Sequence, residues 1–537
     1  MPTAETPVPP AARGFEGWLT EAAQLSDAAV PDHAGALACA ITAAGMAAST
    51  LEWARAAHAA GIEQFHLGRA EEAIVTFTAL AGHLAGSSGA EDRFWAARAL
   101  YNKGVILGAL GRLEDEITAY DELMAQVGTG PADLPLRELI AKALFNKGTR
   151  FGALGRPDAE LAAYGDLLAR FGATTEESLL PRVAGTLVNS GVTLSRLGRQ
   201  TEALVFYNDL LTRFGTATAQ PLREHVAQTL RNKGLLLAIL GRHAEALAAY
   251  DDLLVRFGTA MELPLRVETA STLVNKGVTL NALGRRAEAM AVYDDLLTRF
   301  ATAAESALRE QVAQALLNKG VTFGDMGRGA DEIAMYDALL ARFATDTAPG
   351  LRERVARALL NKGTALGYST DALAVYDDLR ARFGTVAEIP LREQVALGLI
   401  NKGVVLRGLE RRTEEITIYD ELLAWSGETP DPALHGSLAN ALFGKARALG
   451  ALGQGEAAIT VYDALLTRFA TARALPLRER VAWSLFNKAS LLASSGGMGA
   501  AAAVCDELMA RFGAAAEPSL RQPVTEAITL RERCRAG

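Results

Sequence analysis

Residues 264–300 read PLRVETASTLVNKGVTLNALGRRAEAMAVYDDLLTRF, and the architecture follows from them. Pro264 suits the first position of a helix, where its missing N–H costs nothing. Apolar and small residues then recur at helical spacing through Leu273, Gly277, Leu280 and Leu283. Gly284 is placed to end that helix in a left-handed C-cap. Arg285 and Arg286 turn the corner, and a second helix is expected from about Ala287 to Phe300 with Ala289, Tyr293 and Leu296 on one face. The first helix should run for ~19 residues, about 29 Å at ~1.5 Å per residue. A hairpin of this size cannot bury its apolar face alone, so copies of it must stack.

The copies are present. Asn-Lys-Gly begins at Asn102, Asn146, Asn232, Asn275, Asn318, Asn361 and Asn401, with Asn-Ser-Gly at Asn189. The starts lie about 43 residues apart, apart from one step of 40. Tyr followed by Asp keeps the same phase at Tyr120, Tyr250, Tyr293, Tyr336, Tyr376, Tyr419 and Tyr462. Weaker copies at Gly61 with Phe77 and at Ala489 with Cys505 bring the total to eleven. The expected organisation is a disordered tail over 1–14, capping helices over 15–52, the array over 53–518 and a capping helix over 519–537. Between Gly363 and Tyr376 three residues are missing, which predicts a tighter corner there.

The small Gly277, the Leu283-Gly284 pair, Glu288-Ala289 and Tyr293 fall at the spacing of the tetratricopeptide repeat family, which this chain resembles over residues 53–518. Two departures stand out. The unit is about nine residues longer than the ~34 of the family. The aromatic common early in its first helix is Leu here, as at Leu273 and Leu316. The resemblance implies an all-α fold, a right-handed α-solenoid in which the first helices line a concave surface. It also implies that the repeated Asn faces that groove, as in peptide-binding members of the family.

Composition narrows the function. Fifty-four Lys and Arg against 62 Asp and Glu give a net charge of −8, which argues against a nucleic-acid partner. Half the residues are apolar and 22% are charged, outside the range of disordered or membrane proteins. The uncharged run 34–51 is mostly Ala, Gly, Ser and Thr, too weakly apolar for stable insertion, and is expected as a buried helix. Cys39, Cys505 and Cys534 form no motif and suit a reducing, cytoplasmic setting; the prolines of residues 1–14 do not make a secretory leader. There is no HExxH, GxSxG or Walker loop, so neither an enzyme nor a cofactor is expected. His58 and His66 lie eight residues apart on one helix face, and with no carboxylate or Cys recognised beside them no metal is expected.

The repeated polar residues remain. Arg-Phe at Arg213-Phe214, Arg256-Phe257, Arg299-Phe300 and Arg342-Phe343 reads as a packed ring beside a solvated cation at a helix C-terminus. Lys of Asn-Lys-Gly and Asp after Tyr occur together in eight repeats, 276/294 among them, and are both absent from two, which predicts a partly buried bridge between the paired helices of one hairpin. The alternative is two independent solvated charges. Eight successive repeats carry Asn102, Asn146, Asn189, Asn232, Asn275, Asn318, Asn361 and Asn401, before Gly444 interrupts. A carboxamide both donates and accepts, and so matches a peptide unit whatever its side chain. With helices ~10 Å apart and ~3.3 Å per extended residue, the row would hold on the order of 20 residues of a guest chain. The alternative is that each Asn bonds the neighbouring repeat. Three positions on stand Val105, Val192, Leu235, Val278, Val321 and Val404, groove apolar residues if they face inward and seam residues if they do not. The expected function is a protein-interaction scaffold holding a protein or peptide partner. The second reading is a sensor or regulatory arm of a bacterial signalling or defence assembly.

Overall fold

The computed structural model describes residues 13–128, 132–427 and 431–536. The expected tail over 1–14 lies outside them except for Arg13 and Gly14. Among the described residues there are 25 α-helices and no strand, an all-α solenoid of paired helices. Helices α1 (Phe15–Ser26) and α2 (His33–Met46) precede the first hairpin. The hairpins of the first half are α3 (Thr50–His66) with α4 (Ala70–His83), α5 (Ala90–Ala109) with α6 (Leu113–Val127), and α7 (Leu134–Ala153) with α8 (Pro157–Phe171). They continue with α9 (Leu180–Arg196) and α10 (Gln200–Phe214), then α11 (Gln220–Ile239) and α12 (His243–Phe257). Next are α13 (Leu263–Ala282) with α14 (Arg286–Arg299), α15 (Ser306–Asp325) with α16 (Gly329–Phe343), and α17 (Pro349–Ala365) with α18 (Thr370–Phe383). The last are α19 (Ile389–Gly408) with α20 (Arg412–Ser426), α21 (His435–Ala451) with α22 (Gly455–Arg468), and α23 (Leu475–Ser494) with α24 (Met498–Phe512), before α25 (Pro518–Ala536). The chain forms two compact units, 1–268 and 269–537, each a stack of such hairpins. No helix among the described residues is long and apolar enough to cross a membrane.

Two devices shape each hairpin. At the corner the backbone turns left-handed, at φ 72° for Gly284 and at similar angles in every other hairpin, with Glu410 (φ 61°) standing where the others have glycine. Between the helices the aromatic of the second lies flat on the glycine of the first. A Cβ on Gly104 would meet Tyr120 at 2.5 Å, and one on Gly191 would stand within 2.8 Å of three ring atoms of Tyr207. The last hairpin changes both partners together: Ala489 and Cys505, both fully buried, stand where most hairpins have glycine and tyrosine, while α21 and α22 carry Ala446 with Tyr462. In the shortened hairpin α17 loses a turn, and the ring of Tyr368 at its corner lies against Gly408 of α19.

The stitching between repeats differs from expectation. Lys and Asp do not bridge the helices of one hairpin. Six of the lysines reach the Asp of the preceding repeat instead, Lys147 with Asp121, Lys319 with Asp294, Lys362 with Asp337, Lys402 with Asp377, Lys445 with Asp420 and Lys488 with Asp463, while Lys103, preceded by a repeat with Thr78 in that place, meets Glu122 of its own hairpin at 2.9 Å. The reason is geometric. Tyr points into its own hairpin, so the next residue on the helix is turned ~100° away from it, toward the following repeat. The pairs are not buried: Lys319 is 13% exposed but Asp294 is 57% exposed. Each is therefore worth ~0.2–1 kcal/mol rather than the larger sum expected of a buried pair. Asp506 of the final hairpin meets Arg531 and Arg535 of α25 in place of a lysine. The Arg of Arg-Phe is likewise not merely solvated, because Arg213, Arg256, Arg342 and Arg511 each donate to the last carbonyls of the preceding repeat's second helix (Gly172, Gly215, Ala301 and Ala470), where that helix is negative.

Candidate functional site

Along α5, residues Glu91, Phe94, Arg98, Tyr101 and Val105 follow one another at steps of three or four, with Asn102 beside Tyr101 at the edge of the same face. The same register on α7 holds Pro135, Glu138, Lys142, Phe145 and Asn146; on α9 it holds Pro181, Arg182, Gly185 and Asn189; and on α11 it holds Pro221, His225, Gln228, Asn232 and Leu235. In unit 1 these faces line three cavities that share walls. The first, about 410 Å³, lies between Leu51, Arg55, Phe94, Trp95 and Pro135, with the carboxylates of Glu91 and Asp133 also on its wall. The second, about 280 Å³, is bounded by Phe94, Arg98, Tyr101, Asn102, Glu138 and Lys142. The third, about 370 Å³, is bounded by Glu138, Lys142, Phe145, Arg182 and His225. Gly185 keeps the third open, since a Cβ there would press on Phe145 at 3.1 Å and His225 at 3.3 Å.

Rings and cations alternate along this trough. The guanidinium of Arg98 lies 5.2 Å from the centre of Trp95 and 5.8 Å from that of Phe94, and that of Arg182 lies 5.2 Å from Phe145. Neither Arg98 nor Arg182 has a carboxylate within ion-pair reach among the described residues. Burial pulls the Arg98 guanidinium below its ordinary pKa. Burial, with Arg98 nearby, also holds His58 down to about 3, so its ring is neutral at pH 7. The amide nitrogen of Asn102 can only donate, and it donates to Nε2 of that neutral ring at 2.7 Å.

The eight asparagines are all half-buried on first helices. Asn146 and Asn189 donate to the hydroxyls of Tyr120 and Tyr164 of the preceding repeat, both at 3.2 Å. Asn318, Asn361 and Asn401 stand in the same register beside Tyr293, Tyr336 and Tyr376, where Asn401 donates to the Thr364 hydroxyl at 3.4 Å and the Asn318 carbonyl accepts from Gln314 at 2.8 Å. Asn102 turns to His58 because the aromatic before it is Phe77, which has no hydroxyl. Asn232 and Asn275 occupy equivalent positions and are also half-buried. One donor of the amide is thus used at the seam wherever a tyrosine bond is seen, and the group stays partly open to solvent. Val105, Leu235, Val278 and Val321 are exposed, while Val192 and Val404 are half-buried.

Sequence reasoning singled out the asparagines and missed the trough beside them. Phe94 stands where most first helices carry Glu, and Tyr101 and Phe145 stand where most of the middle repeats carry Val, Leu or Ile, and that was the available signal. Of the two histidines singled out, His58 belongs to Asn102. His66 stands with His33 and with a carboxylate, Glu63.

No family model matches the sequence, and no curated protein matches it. Solved structures similar to it are helical repeat proteins. An engineered protein is 18% identical, covering 85% of this chain and 98% of its own, with a TM-score of 0.37. A tetratricopeptide repeat protein from Parabacteroides merdae is 15% identical over 56% of this chain and 98% of its own, with a TM-score of 0.34. A Rap protein complexed with competence and sporulation factor is 14% identical over 70% of this chain and 98% of its own, also at 0.34. These superpositions are loose, and function does not transfer along them.

Proposed function

We propose that the chain is an interaction scaffold whose unit 1 trough holds an extended protein segment bearing apolar and acidic side chains. The observation that carries this reading is the run of three joined cavities walled by Phe94, Trp95, Tyr101 and Phe145, with the carboxylate-free guanidiniums of Arg98 and Arg182 above the rings. Aromatic walls favour apolar side chains, and a partly desolvated guanidinium favours a carboxylate. The asparagine row fits the same guest: an amide fixed at the seam by one N–H, as at Asn146 and Asn189, keeps its second N–H and its carbonyl for a peptide unit, while at Asn318 the carbonyl already accepts from Gln314. In this reading Asn102, Asn146, Asn189 and Asn232 serve unit 1, and Asn275, Asn318, Asn361 and Asn401 with Val278, Val321 and Val404 offer a similar face in unit 2.

The test is selection of a random peptide library on the full chain. Enrichment of acidic residues spaced among aromatic or aliphatic ones is expected. The selected peptide should then lose ~10–100-fold in affinity for Arg98→Ala or Arg182→Ala, the equivalent of ~1.5–3 kcal/mol for a hydrogen bond to a charged group. Enrichment of basic peptides, or unchanged affinity in both variants, would overturn the reading.

A further inference from the structure

The geometry points to a metal site where the N-terminal helices meet the first hairpin: we propose that His33, Glu63 and His66 bind one divalent transition-metal ion, zinc foremost, which staples α2 to α3. Three observations combine. Glu63 and His66 are one helical turn apart near the end of α3, a Glu-x-x-His spacing that puts both side chains on one face. His33, in the first turn of α2, brings its Nδ1 to 2.7 Å from the Glu63 carboxylate, and its ring centre lies 4.6 Å from that of His66. One donor atom from each of the three lies within 4.8 Å of the other two, so small side-chain adjustments would bring all three to the ~2.0–2.2 Å bonds of a bound ion.

The burial of Glu63 gives the arrangement a direction. It is 4% exposed, and a carboxylate taken from water needs positive charge beside it. A cation held by both rings and the carboxylate supplies that charge directly. Two nitrogens and one oxygen form a borderline donor set, suited to zinc, cobalt, nickel or copper rather than to calcium or magnesium, which take oxygen cages. Three protein ligands would leave a fourth position for water, and His66 is itself exposed. The three residues come from two helices that pack together, so the ion would favour the docked state of α2 over its release.

The experiment uses the untagged full chain, freed of metal by chelator and titrated with zinc alone by calorimetry. One ion per chain is expected at micromolar affinity or tighter, together with slower hydrogen exchange in α2. Cobalt should give the visible absorption of a low-coordinate nitrogen–oxygen site. His66→Ala, at an exposed position, should weaken zinc by at least about 100-fold without loss of helicity, since even second-shell changes cost ~10–100-fold. Glu63→Gln, which keeps the size of the side chain, should do the same. His83→Ala, remote from the cluster, should bind as the parent does. No zinc binding by the parent chain, equal affinity in His66→Ala and the parent, or an equal loss in His83→Ala would each overturn the proposal.

Discussion

Gly191 and Tyr207 form one packing unit, and replacing them separately and together tests how each hairpin is held. An Ala Cβ at 191 would stand within 2.8 Å of Cδ1 and Cζ of Tyr207 and closer still to Cε1, while the ring itself is 1% exposed and has nowhere to go. Overpacking of this kind costs ~1–3 kcal/mol, and the better helix propensity of alanine returns up to ~1 kcal/mol, so Gly191→Ala should destabilise the hairpin by about 1–2 kcal/mol. Tyr207→Cys removes most of a buried ring, at about 3 kcal/mol, the low end for aromatic truncations because the sulfur remains. If the two acted independently, the double variant would lose about 4–5 kcal/mol. They share one volume, however. The new methyl fills part of the hole left by the ring, as Ala489 and Cys505 already do in the last hairpin. The double variant should therefore lose only about 2–3 kcal/mol, a coupling of about 2 kcal/mol between residues in contact. The assay is native-state hydrogen exchange of peptides from α9 and α10, because a stacked array opens locally and one global midpoint would hide the effect. Additive losses, to within ~0.5 kcal/mol, would refute the shared-volume reading.

Other outcomes follow from the same geometry. A double-mutant cycle on Lys319 and Asp294, across the seam, should give a salt-sensitive coupling of ~0.2–1 kcal/mol, whereas the same cycle on Lys319 and Asp337, within one hairpin, should give none. His58 has a folded-state pKa of about 3, depressed by burial first and by Arg98 second, so its contribution to stability is complete above the unfolded value of ~6.5 and is lost as pH falls toward 3. At pH 5 the loss should reach about 2 kcal/mol at ~1.36 kcal/mol per unit, read as faster exchange in α3 and α5, and His58→Gln should remove that pH dependence. Glu410→Gly should stabilise the corner between α19 and α20 by about 1 kcal/mol, seen as slower local exchange, because Glu410 bears a left-handed backbone that costs an L-residue ~1–2 kcal/mol.

The hairpins were legible because glycine, aromatic and corner glycine must keep one phase for the stack to close. All eleven pairs of helices stand where those markers put them, with α13 and α14 within a residue or two of the bounds read for residues 264–300. The seam was harder to read. Comparing Lys with Asp inside one repeat hid the true register, in which Asp121 serves Lys147, and Gly165 faces Ser190 where both charges are gone. A helix turns ~100° per residue, so a residue beside a core tyrosine looks outward to the next unit, and only the offset comparison reveals its partner. The trough was half legible: the asparagines hold through eight successive repeats, whereas Arg98, Phe145 and Arg182 recur in their register only in scattered repeats, for example as Arg357, Phe443 and Arg354. Periodicity therefore says nothing of them. The cluster of His33, Glu63 and His66 joins residues 30 or more apart in sequence through a packing of α2 on α3 that no repeat encodes.

The most direct measurement is site-specific photo-crosslinking of the selected peptide to the full chain. A photoreactive residue replaces Val105 or Leu235 on the first helices, and in parallel Val205 or Val255 on the second helices, which are 63% and 85% exposed. The account predicts crosslinks from 105 and 235, abolished by excess unlabelled peptide, and none from 205 or 255. Equal labelling from the second-helix positions, or labelling there alone, would contradict a guest chain held along the first helices.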